Sequence, residues 1–421
     1  MAIITTTIGY GTAHEPSIDI ITYTGSGPYT VTVDSTADCQ VGDKLWDEGG
    51  PPTYHHILSI VDGTTLTTKT QPSYEGYATA KVRRFYRGST PLQDWNDDLD
   101  TGSLYDDYDS AIGVIYNDAV FDEKLSLDGG GGTLLASVKL TVAEGERHDG
   151  TPGQGARIVS TASGPVIDIA RSGFAYQIEW LEITQSGISP SSTQNFGIKF
   201  GQDEDPIIRN VLIYGIVGST NSGRQALGFG SGGSRALPQI INSMIFDIGG
   251  GTADAAGGIG IKMNAHNAAV GALNCTIHDC ADVGAYGGIG VDATNLDVRN
   301  CISTDNANGD FDGTYDTKDY DLSSDTTADG ANSLVSEASG DQFVSNSSSP
   351  GYNLLLKAGA GAEGAGVDLA DSPTGIGIDI TGFDRHGDDS NDPWDIGCNE
   401  LQGGLTIPIA AYHHIHHNLN P

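Results

Sequence analysis

The sequence predicts an all-β chain wound as a right-handed parallel β-helix, with a small inserted β-barrel or sandwich domain near the N-terminus and a short capping helix. Three observations lead there. A motif recurs about every thirty residues, the signature of a stacked-repeat architecture. Between its recurrences lie short runs of β-type residues and no long stretch of helical period. Glycine is abundant, at 59 of 421 residues, without any collagen-like spacing, so it serves turns and close approaches.

The repeat is clearest in one line: Asn210-Val-Leu-Ile213, Asn242-Ser-Met-Ile245, Asn274-Cys-Thr-Ile277 and Asn300-Cys-Ile-Ser303, at steps of 32, 32 and 26 residues. The segment QIEWLEIT lies one step earlier and aligns with Glu179 in the Asn place. A second line holds Ile198, Leu227, Ile259 and Ile289, at steps of 29, 32 and 30. Leucine-rich and ankyrin repeats share this length, but the leucine frame of one and the helices of the other are missing. Equivalent positions of a β-helix stack about 4.8 Å apart. Ile213, Ile245 and Ile277 then form an inward apolar ladder. Asn210, Asn242, Asn274 and Asn300 stack at a turn, their amides bonding to backbone or to the next Asn. Cys275 and Cys301 fall on neighbouring coils as small buried residues, with a redox or metal pair as the alternative.

The rest of the chain is assigned around this repeat: an N-terminal arm (1–16), the small β-domain (17–86), a cap helix with the first coils (87–155), the β-helix (156–400) and a tail (401–421). In 17–86 the runs IDIITYTG, YTVTVD and HHILSIV alternate, and Asp62-Gly63 signals a hairpin. Thr90-Pro91 followed by acids predicts a short helix that covers the open end of the solenoid. Residues 304–350, crowded with Asp, Asn, Gly and Ser, read as acidic loops with one or two degraded coils.

Charge limits the partners. Fifty-five acidic against twenty basic residues give a net charge of −35. That disfavours nucleic acid, whose phosphates need a basic footprint, and anionic membranes or polyanions, unless a local basic patch or bound cations override the field. No apolar run reaches the length of a membrane-spanning helix. The N-terminus lacks the basic and apolar regions of a secretory signal, so synthesis in the cytoplasm is expected. Five scattered cysteines make no disulfide framework.

No convergent catalytic set is legible. The candidate bases Arg209 and Arg299 lie about three periods apart, and Lys199 and Lys262 fall on the other line. His386-Gly387-Asp388-Asp389 carries pairs seen in polygalacturonase-type hydrolases, but in one loop rather than on separate coils. No cofactor is expected. Calcium is conceivable at Asp316, Asp319 and Asp321, although their spacing fits no known loop frame and a solvated acidic loop is the plainer reading. His414 and His416 of the tail would meet as metal ligands only around a threefold axis.

Several segments resemble a known family. Thr7-Ile8-Gly9, Ser89-Thr90-Pro91-Leu92-Gln93-Asp94-Trp95, the runs around Ala111–Asp118 and Leu140–Gly150, and the closing Pro393-Trp394-Asp395-Ile396-Gly397-Cys398-Asn399-Glu400 are similar to pectin-lyase-like right-handed β-helix proteins of tailed bacteriophages and marine bacteria. The resemblance covers residues 1–12 and 87–400. Residues 13–86 interrupt it, as an insertion would. It implies a non-catalytic structural protein on the surface of a phage virion, a capsid decoration or a tail spike or fibre. Such a protein would be homo-oligomeric, docked on other virion proteins, with a flank open to host glycans. A polysaccharide lyase or hydrolase of the same type, or a bacterial carbohydrate-binding surface protein, are the alternatives.

Overall fold

The chain folds as a right-handed parallel β-helix with a small closed β-barrel set into its first rung. The computed structural model describes residues 3–9, 16–47, 54–70, 78–87, 89–101, 105, 108–127, 135–170, 175–186, 195–200, 206–217, 224–229, 238–249, 258–264, 271–280, 288–349, 351–370, 373, 375–385 and 393–401.

Each coil visits three faces in the same order. One coil runs through Pro165–Ile169, Ala175–Glu179 and Glu182–Gln185, and the next through Asn195–Phe200, Ile207–Arg209 and Leu212–Ile216. Every stacking partner between coils is parallel. Two faces merge into one 14-stranded sheet, because the eleven-residue strand Ile289–Arg299 runs through the corner that earlier coils turn by a loop. The third face is a separate seven-stranded sheet. Inward-pointing side chains, among them Ile178, Ile213, Ile245, Ile277, Val291 and Val298, form one continuous core. Burying such ladders is the main favourable term, at about 25 cal/mol per Å² of apolar surface.

The register corrects the sequence reading at three places. Glu179 pairs with Arg209, so Trp180, not Glu179, stands in the Asn place, and it takes the same left-handed backbone (φ 63°). Leu227 stacks between Ile198 and Ile261, and Ile259 instead faces Gln225. The alignment slipped by two residues because both positions belong to an alternating strand and the intervening loop varies in length. Residues 309–319, read as acidic loop, form an eleven-residue strand, Gly309–Asp319, added parallel to Ile289–Arg299. It is an end strand whose Asp312, Thr314, Asp316 and Thr317 face water while Asp310 is buried, which leaves no apolar alternation to read.

The first rung carries the barrel. Strand Ile3–Ile8 pairs in parallel with Ser110–Ile115, at the edge of the large sheet. The chain then leaves for six antiparallel strands, Ser17–Thr24, Tyr29–Val33, Lys44–Asp47, Tyr54–Asp62, Thr65–Thr68 and Ala78–Arg83, which close around Ile20, Val31, Leu45, Ile57, Leu66 and Val82. Gly63 and Thr64 form the two-residue turn between the fourth and fifth of these strands. The chain returns beside its point of departure, where Ile8 bridges Tyr86. Polar contacts fix the barrel to that edge: Thr7 Oγ1 donates to Asp43 Oδ1 (2.6 Å), and Arg84 meets both Asp43 (3.4 Å) and Asp118 (3.5 Å).

Helix Pro91–Thr101 packs Leu92, Trp95 and Leu99 inward. Gly113 is needed beneath it, since a Cβ there would lie 2.9 Å from the Trp95 ring. Its free N–H groups at Leu92 and Gln93 are accepted by the two Glu123 oxygens, at 3.2 and 3.1 Å.

After the last coil the chain turns back. Residues 367–370 and 375–382 run along the corner between the large and small sheets, toward the N-terminal coils. Asn300 Nδ2 donates to Val367 O (2.7 Å), Asn242 Nδ2 to Ile376 O (3.0 Å) and Asn210 Nδ2 to Asp379 O (2.5 Å). Leu354, Leu356, Ile380, Ile396 and Cys398 then cover the outer side chains of the small sheet, including Leu212, Met244, Phe246 and Ile302.

Candidate functional site

The corner turn is built from one backbone conformation repeated six times. Trp180, Asn210, Asn242, Asn274, Asn300 and Tyr320 have φ of 63°, 53°, 48°, 53°, 55° and 56°. Asn tolerates this region better than most residues, because its short polar side chain can bond locally. Here the side chains bond to one another: Asn300 Nδ2 donates to Asn274 Oδ1, and Asn274 Nδ2 to Asn242 Oδ1, each at 3.0 Å. Just past the Asn column, Cys275 and Cys301 are free and fully buried, and burial pushes the Cys301 thiol well up. Ile213, Ile245 and Ile277 stack in register on the small sheet.

A second column lies five residues beyond the first, at Gly215, Asp247, Asp279 and Asp305. All four have positive φ (61°, 54°, 51° and 56°). They close the small-sheet strands on successive coils, so their side chains emerge one coil step apart, about 4.8 Å. Gly215 leaves the column open at one end. Desolvation, and then the neighbouring Asp279 charge, hold the Asp247 carboxyl above its ordinary range. Tyr352 donates its hydroxyl to Asp279, and Ser339 donates to Asp305. Beside the carboxylates runs an aromatic row, in which Tyr214 and Phe246 are stacked (5.2 Å, 6°) and Phe246 and His278 each neighbour Tyr352. The constant offset of five from the ladder Asn was the signal in the sequence that could have found this column.

The bases singled out from the sequence are all occupied. Arg209 and Lys139 (2.7 Å) both grip Glu179. Burial alone would raise the Glu179 carboxyl, but these two cations hold it below its usual range. Arg299 pairs with Asp297 (2.6 Å), Lys199 with Asp168 (3.0 Å) and Lys262 with Asp292 (3.1 Å).

Asp316, Asp319 and Asp321 point to different surroundings. Asp316 is exposed. Asp319 accepts from the Asn332 backbone (2.7 Å) and side chain (2.9 Å). Asp321 is fully buried and accepts from Cys301 N (2.7 Å), and burial pushes its carboxyl well up. Among the described residues no group of three or more His, Cys, Asp or Glu side chains is placed to hold a metal ion. His414, His416 and the His386–Asp389 run lie outside the described residues.

No family model and no curated protein matches the sequence. Among solved structures, the Gp54 tailspike of Acinetobacter baumannii bacteriophage AP22, solved in complex with A. baumannii capsular saccharide, aligns over 79% of this chain and 71% of that one, at 10% identity and a TM-score of 0.14. A likeness at that score carries no argument, and the β-helix stands on its own strand pairing.

Proposed function

We propose that this chain is a structural protein on the surface of a bacteriophage virion, a capsid decoration or a tail spike or fibre, which contacts host glycans without cleaving them. The observation that carries the reading is the splice at Ile8 and Tyr86: a complete barrel leaves and re-enters the first rung at one point. A stiff rod with a separate module at one end suits a protein held by a particle at one end and exposed along its flank. The resemblance of residues 87–400 to phage β-helix proteins supports the same reading. In it, residues 17–86 or the tail 401–421 dock to other virion proteins, the chain is homo-oligomeric, and no metal is required. A threefold assembly would bring three copies of His414 and His416 together as a metal site.

Cryo-electron microscopy of the particle tests this. The chain is expected in repeated, symmetric copies attached through the barrel or the tail. Its absence from purified particles would overturn the reading.

The carboxylate column favours a second reading, a glycan-cleaving enzyme. Neighbouring carboxylates, one with a raised pKa, are what acid-base cleavage of a glycosidic bond uses. Release of reducing ends from host capsule by the wild type, lost in Asp247→Asn and Asp279→Asn, would establish it.

A further inference from the structure

Where the barrel meets the capping helix there is a cavity of about 340 Å³. Pockets of about 300 Å³ and above hold small ligands. Lys44 and Tyr54 of the barrel and Phe85, Tyr86 and Arg87 of the connector form one wall. Asp94, Asp97 and Asp98 of the helix form the other.

Two features of this cavity point to a ligand. First, it lies in the one strongly basic stretch of an acidic chain: Lys81, Arg83, Arg84 and Arg87 fall within seven residues, and Lys44 pairs with Arg83 across the barrel sheet. Second, the Lys44 ammonium has no ion-pair partner among the described residues. It rests over the rings of Tyr54 (5.0 Å) and Phe85 (5.4 Å). The buried Tyr86 hydroxyl at the same cavity is engaged with Asp98 and Tyr105.

We infer that this cavity binds a sugar ring carrying a carboxylate, such as a hexuronate or an ulosonate. Lys44, with Arg87 beside it, takes the carboxylate. The half-exposed Tyr54 ring takes the C–H face of the pyranose. The helix carboxylates accept the ring hydroxyls. Asp94 and Asp97 are exposed at the rim, where water screens them, so they do not bar an anion held at the opposite wall. The inference extends the glycan-contact reading but is measured on the isolated chain, so its failure leaves the particle experiment untouched.

The test is calorimetry or saturation-transfer NMR on the full chain with glucuronate, galacturonate and N-acetylneuraminate, against glucose, galactose and inorganic phosphate. At least one acidic sugar is expected to bind in the millimolar range, about tenfold tighter than its neutral counterpart, a difference the size of one modest charge-assisted contact. Lys44→Met and Tyr54→Ala should each weaken that binding while the melting temperature stays put. Tyr54 is exposed enough that its truncation leaves the barrel core intact. No binding by any acidic sugar, equal binding by neutral sugars or by phosphate, or unchanged binding in both variants would overturn the inference.

Discussion

Asn274 stands between Asn242 and Asn300, donating its amide to one (3.0 Å) and accepting from the other (3.0 Å) while its own backbone sits at φ 53°. One side chain thus serves both the turn within a coil and the joint between coils. Asn274→Ala removes both bonds, strands two neighbouring amide groups and puts a Cβ-bearing residue into the left-handed region without local compensation. A loss of about 2–4 kcal/mol is expected, read from denaturant unfolding. Asn274→Gly relieves the backbone alone and should lose clearly less. Equal losses would mean that the amide ladder contributes nothing.

Glu123 makes stability pH-dependent. Burial pushes its carboxyl up to about 7, against the hydrogen bonds from Gln93 and Leu92. The folded chain therefore holds a proton that the unfolded chain releases near its ordinary value. Stability is highest below that value and falls as pH rises from about 4.5 through 7, by about 1–3 kcal/mol from this group. Glu123→Gln should flatten that part of the profile. An unchanged slope would place the titration elsewhere.

All five cysteines are free and buried, and desolvation raises Cys39 and Cys398 to about 12. A thiol reagent at pH 8 should find no fast-reacting site in the native protein and five in denaturant. Rapid labelling of a native thiol would show that a coil opens locally.

The Lys44 ammonium sets the pH range of sugar binding. Burial first, then Arg87 and Arg83, bring its pKa down to about 8, while Asp98 pulls the other way. Asp94, Asp97, Tyr54 and Tyr86 face the same cavity. Affinity for the acidic sugar should hold from pH 6 to 7 and decline as pH passes about 8, where the ammonium is lost. In Lys44→Met that decline should vanish.

The parts of this molecule legible in its sequence are those where one conformation demands one residue type. The Asn column could be read because few residues accept positive φ at a buried turn. Trp180 and Tyr320 occupy the same place without that signature, held by packing that no local pattern announces: Trp180 lies between Arg147 (4.7 Å) and His148 (5.8 Å). The Asp column was missed because Asp is common on so acidic a chain, and its meaning lies in a fixed offset from another column. Among the described residues the strand Gly309–Asp319 has only one strand partner to stack on, so composition told nothing of it. The cavity depends on Lys44, Phe85 and Asp98 meeting from three separate elements, and nothing in the chain order signals that they do.

The returning residues 367–370 and 375–382 change how such a rod can come apart. A bare solenoid unzips coil by coil from its ends, since each repeat touches only its neighbours. Here Val367, Ile376 and Asp379 are stitched to Asn300, Asn242 and Asn210, and the Asn210 carbonyl also accepts from His148 (2.9 Å). Peeling the last coil therefore also breaks bonds on the coil that carries Asn210. Fraying from that end is thus opposed by contacts several coils away.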